Sequence, residues 1–195
     1  QLTGRGAFTN SGTLHGEGAV VVGADSVTNS GTLIAGTDLA VSTVADFTNS
    51  GTAQATGTLG VASGGDVSNT SAGVLKAARL SLDARKDLVN AGIATADSGN
   101  ATLRVDGTLD NSGELHARGN MDIAARNGAA TQAVINSGKL LAEQALALKT
   151  ASFSNTATGW AQAATGSTAT LGALDNAGTW LLSQQAAAQD QIGVA

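Results

Sequence analysis

One short phrase recurs nine times along the 195 residues, and that recurrence restricts the fold more than any other property of the chain. The copies are FTNSGTL (8–14), VTNSGTL (27–33), FTNSGTA (47–53), VSNTSAGVL (67–75), LVNAGIA (88–94), LDNSGEL (109–115), VINSGKL (134–140), FSNTATGWA (153–161) and LDNAGTW (174–180). Each carries one asparagine: Asn10, Asn29, Asn49, Asn69, Asn90, Asn111, Asn136, Asn155 and Asn176, spaced by 19, 20, 20, 21, 21, 25, 19 and 21 residues. Self-similarity at a fixed period of this length is the mark of a stacked, quasi-one-dimensional architecture.

Around each asparagine the apolar residues keep fixed columns. Two positions before it stand Phe8, Val27, Phe47, Val67, Leu88, Leu109, Val134, Phe153 and Leu174. Just beyond the glycine come Leu14, Leu33, Ala53, Leu75, Ala94, Leu115, Leu140, Ala161 and Trp180. Further along lies an alternating pair: Val20/Val22, Leu39/Val41, Leu59/Val61, Leu80/Leu82, Leu103/Val105, Met121/Ile123, Leu146/Leu148 and Ala169/Leu171. Alternation of this kind describes strands with one buried face. No copy contains apolar positions three and four apart over a run long enough for a helical repeat. The chain is therefore expected to be all-β, a right-handed parallel β-helix (solenoid) of about nine rungs of ~20 residues, each strand pairing with its equivalent ~4.8 Å away. Residues 1–182 read as a single repeat domain, and residues 183–195, rich in Gln and Ala over 183–191, as an irregular or partial terminal rung.

The Asn-Gly element reads as a structural corner, since both residues tolerate the positive φ that a sharp bend can demand. Stacked asparagines can also bond amide to amide between rungs, so turn and ladder are both open readings. Extra residues belong at such corners: Ser71 and Ala72, 97–100, 126–132 and 156–158. The 126–132 insertion explains the one 25-residue spacing, and it makes Arg126, Asn127 and Gln132 the candidate binding loop.

Composition narrows the chemistry. Cysteine and proline are absent, which removes disulfides and thiolate sites. A net charge of −5 argues against nucleic acid, and no apolar run approaches the length of a membrane-spanning helix, so the segment is not membrane-embedded. His15 and His116 occupy the same slot five rungs apart, about 24 Å by strand spacing, too far to share a metal. Asp46, Asp66 and Asp87, each three residues before its asparagine, form a more suggestive column. They read either as turn residues bonded to their own backbone or as a calcium column. Arg79, Arg85 and Lys86 nearby allow a polysaccharide-lyase reading, but they recur as decoration of rungs rather than as one cluster, and no aromatic platform for a sugar stands out. No catalytic residue, cofactor-binding residue or cofactor is assigned.

The strings FTNSGTL, DLAVSTVADFTNSGT and TLDNSGELHARGNMDI resemble the haemagglutinin repeats of bacterial filamentous haemagglutinins and of contact-dependent growth inhibition exoproteins, over residues 2–182. The resemblance implies a β-helical filament, secreted through an outer-membrane transporter and displayed on the surface of a Gram-negative bacterium. There it would serve adhesion, to a receptor on a host or neighbouring cell, or hold out a toxic tip. The family's amino-terminal asparagine-proline motif, a toxin module and an Arg-Gly-Asp triplet are all missing, so the chain is expected to be an internal shaft segment. Three functions follow: a structural shaft, a segment that itself binds a host glycan or protein through its loops, and a carbohydrate-active enzyme.

Overall fold

A computed structural model describes residues 1–181 and 191–194, in which every regular element is a β-strand and every ladder is parallel. One rung serves for all. Leu39–Thr43 runs along one face, a corner leads to Phe47–Asn49, and a second corner leads to Thr52–Ala55. The next rung repeats the three strands as Thr58–Ser63, Val67–Asn69 and Val74–Ala77, placed directly over them. The first two strands of successive rungs make a 17-stranded sheet, and the third makes a nine-stranded sheet. In the last two turns the first two strands fuse into Ala145–Asn155 and Gly166–Asn176.

Register is held by identity of position. Phe8, Val27, Phe47, Val67, Leu88, Leu109, Val134, Phe153 and Leu174 pair in that order, and the nine asparagines follow two residues later. Burial alternates along each strand, so the inward aliphatic side chains fill one continuous core. Such a core contributes about 25 cal/mol per Å² of apolar surface removed from water. It also has a column that the sequence pattern did not reveal: Ala35, Ala55, Ala77, Ala96, Ala117, Ala142 and Ala163, all buried. Alanine is equally frequent at outward positions such as Ala40 and Ala62, so it offers no contrast along the chain.

Two expectations need correction. Leu103/Val105 and Ala169/Leu171 each sit two residues beyond the assigned register: Leu103 pairs with Leu82, and Ala169 with Leu148. A slip of two keeps every side chain on the same face, and hydrophobic alternation is blind to it. The Asn-Gly corners, secondly, use no positive φ. Among the described residues only Gly6, Gly128 and Gly166 adopt it, and no asparagine does. The corner closes on the previous rung instead: Ser30 and Gly31 both donate their backbone N–H to the Asn10 carbonyl, at 2.9 and 3.0 Å. Glycine is needed there for close approach, because a Cβ on Gly31 would overlap the Gly12 carbonyl oxygen of the turn beneath it, and Gly113 meets Gly92 in the same way. The stretch 183–191, read as part of an irregular or partial terminal rung, lies outside the described residues except for Gln191. Gln191–Val194 adds a parallel strand alongside Thr168–Leu171.

Candidate functional site

The most extensive polar arrangement is the asparagine column. Each Nδ2 donates to the Oδ1 of the next rung: Asn10 to Asn29, then Asn49, Asn69, Asn90, Asn111, Asn136, Asn155 and Asn176, at 2.8 or 2.9 Å throughout. The second amide hydrogen reaches a carbonyl of the third strand one rung on, for example from Asn90 to Glu114 O at 3.1 Å. Those carbonyls fix which side of the amide carries nitrogen, because a flipped amide would face them with oxygen. Seven of the nine, Asn29 through Asn155, are buried. A buried polar group is tolerated only when paired, and here each amide is paired on both sides. The column does a structural job and exposes no chemistry.

Aspartates hold the other corners. Asp46 Oδ1 accepts from Asp66 N, Asp66 Oδ1 from Asp87 N, and Asp87 Oδ1 from Thr108 N, at 2.9, 3.1 and 2.7 Å. Each carboxylate therefore bonds the backbone of the next rung, where the sequence reading had it bonding its own. Asp38 with Thr58, and Asn100 with Asn120, repeat the device at the third corner. No three His, Asp or Glu side chains come together as metal ligands among the described residues. One oxygen of each aspartate in the column already serves an amide, which leaves a poor set of six to eight calcium ligands. Chelator is expected to leave the melting temperature unchanged in a thermal scan; a fall on chelation, reversed by added calcium, would restore the calcium column.

The 126–132 insertion is only partly extended from the shaft. Residues 127–130 are exposed, Asn127 among them, and so is Gln132, but Thr131 is buried and bridges to Thr150. Arg126 turns back over two rungs, placing its Nε 3.2 Å from Asp83 Oδ1, and its N–H donates to Asp106 at 3.0 Å. Arg126 and Arg85 border a shallow groove of about 360 Å³ over Ser42, Ala62 and Gly64. Arg79, Arg85 and Lys86 are exposed and make no ion pair with the aspartate column among the described residues, so the lyase constellation does not assemble. His15 stands over Ile34, five strands from His116, which meets Glu143 at 3.0 Å.

Sequence reasoning missed one residue. Trp160, 41% exposed, lies on the open face of the nine-stranded sheet, between Lys139 and Thr179. The signal was present: in the strand Trp160–Ala163, an inward Ala161 requires residues 160 and 162 to face out. Beside it, His116, Leu141, Ala142, Glu143, Gln162 and Ala164 border a groove of about 430 Å³.

Comparison with known families decides the wider assignment. The haemagglutinin-repeat family model matches residues 1–34, 22–113, 77–138 and 98–194, together almost the entire chain. The chain belongs to the haemagglutinin-repeat family. No curated protein and no solved structure matches it. The overlapping matches follow from the geometry, since any few consecutive haemagglutinin-repeat rungs superpose on the next few. No helix is long and apolar enough to cross a membrane among the described residues.

Proposed function

We propose that this haemagglutinin-repeat segment is a structural shaft of a large adhesin or exoprotein, exported through an outer-membrane transporter and displayed on a Gram-negative cell. There the full protein engages a receptor on a host or neighbouring cell, or carries a toxic or receptor-binding tip. The observation that carries the reading is the unbroken inter-rung pairing: all nine asparagines and the inward columns stack in one register, so each rung is a spacer of fixed height. A solenoid of this kind gains length by simple repetition, about 4.8 Å per rung. Family membership supports the same reading, as this is a family of structural adhesins rather than of enzymes.

The test uses the modularity. Duplicating residues 39–100 inserts three further rungs, which is expected to lengthen the isolated rod by about 14 Å in small-angle scattering. In the parent protein it should move the distal tip outward, with export retained. A duplicate that folds yet leaves the length unchanged overturns the shaft reading.

A further inference from the structure

We propose that the open face of the nine-stranded sheet carries a saccharide-binding groove beside Trp160, suited to an uncharged pyranose; the site stands or falls independently of the shaft role.

A pyranose is amphipathic: its C–H face is apolar while its edge presents hydroxyls that both donate and accept. The groove offers the complement. The indole of Trp160 supplies an exposed apolar plate on a rigid sheet, and aromatic rings of this type combine a flat apolar body with a polar tip. That tip is already used, because Trp160 Nε1 donates to Gln162 Oε1 at 3.0 Å and thereby ties the ring to the groove's rim. With its oxygen engaged, Gln162 retains both Nε2 hydrogens as donors, and no partner takes them among the described residues. Glu143 works in the opposite sense: Oε1 receives His116 Nε2 at 3.0 Å and lies 3.9 Å from Arg118, leaving Oε2 to accept. Leu141 and Ala164 provide the apolar part of the lining. Donors and plate thus sit on one strand, with the acceptor just beyond the end of the neighbouring strand Lys139–Ala142. A volume near 430 Å³ is within the range of about 300–1,000 Å³ usual for small-molecule sites.

The local charges select for a neutral ligand. Lys139 is matched by Glu114 at 3.4 Å, and Glu143 faces both His116 at 3.0 Å and Arg118 at 3.9 Å, so each of these cations already has an acid beside it.

The test titrates the whole segment with the methyl glycosides of glucose, galactose, mannose and N-acetylglucosamine, and with glucuronate as the charged comparator. Trp160 fluorescence is read in a W180F background, and saturation-transfer NMR is recorded on the unaltered chain. At least one neutral glycoside is expected to give saturable changes in both. W160A weakens that binding by at least about tenfold and Q162A by several-fold, W160F retains part of it, and the melting temperature of each variant stays close to the parent's. No saturable response to any neutral glycoside overturns the site. So does a W160A variant that binds as the parent does, or a response to glucuronate alone.

Discussion

Replacing Leu109 with Asp is expected to cost more than about 5 kcal/mol and to split the single unfolding transition into two. Leu109 is 0% exposed, with Leu88 on one side in its column and Val134 on the other. Truncating a buried leucine alone costs about 2–5 kcal/mol, and an unpaired carboxylate in an aliphatic interior adds several more. The total rivals the entire stability of an ordinary domain, about 5–15 kcal/mol. A rung contacts only its neighbours, so the damage is confined along the axis while the stacks above and below retain their own interfaces. Hydrogen exchange in denaturant reads this directly: protection lost first in rungs five to seven, surviving on both sides. Thr48→Asp, on an outward position between Thr28 and Ser68, is the control and should stay within about 0.5 kcal/mol of the parent. Equal losses from the two substitutions would mean that the inward and outward assignments are wrong.

The second large effect is expected from Asn90→Asp, about 3–5 kcal/mol measured by urea denaturation. The side chains are nearly the same shape, yet the change replaces a donor with an acceptor. Asn111 Oδ1, Gly92 O and Glu114 O, at 2.8, 3.3 and 3.1 Å from Asn90 Nδ2, would then face an oxygen inside the protein. Protonation would relieve part of the conflict, and the sign can be worked out. A buried carboxyl has a folded-state pKa above its unfolded value of about 3.9, so its penalty is absent below that value and grows as the pH rises through the window above it. The deficit of Asn90→Asp relative to the parent therefore shrinks toward pH ~4, whereas that of Asn90→Ala, which has nothing to titrate, stays flat. A pH-independent deficit for both would show that the amide chain is not what the substitution breaks.

How much of this was legible in the sequence depends on which physical property carried it. Phe47, Val67 and Leu88 announce their column because strong hydrophobicity at an unvarying offset from an asparagine has no other economical cause. The alanine column beside them was silent, as Ala55 and Ala62 look alike in a string although one is buried and the other exposed. Register at Ala101–Val105 was hidden by the two-residue parity of a strand. Asp46 announced a corner but not its partner, because a carboxylate bonding its own turn and one bonding the next rung need the same residue at the same place. At the candidate groove, the sequence reading followed the inward Ala161 and passed over its neighbour Trp160, although alternation along the strand Trp160–Ala163 already turned the indole outward.

The side-chain amides running from Asn10 to Asn176 all point the same way, which gives the rod a polarity that its aliphatic interior lacks. Aligned amide dipoles reinforce one another, as they do along an α-helix, and each bond polarises the next. A turn arriving in the right orientation meets a waiting donor with its own acceptor; one arriving upside down would bring donor against donor. Growth and joining of such rods are therefore vectorial, and head-to-head fusion of two segments is excluded by the amides before any surface residue is consulted.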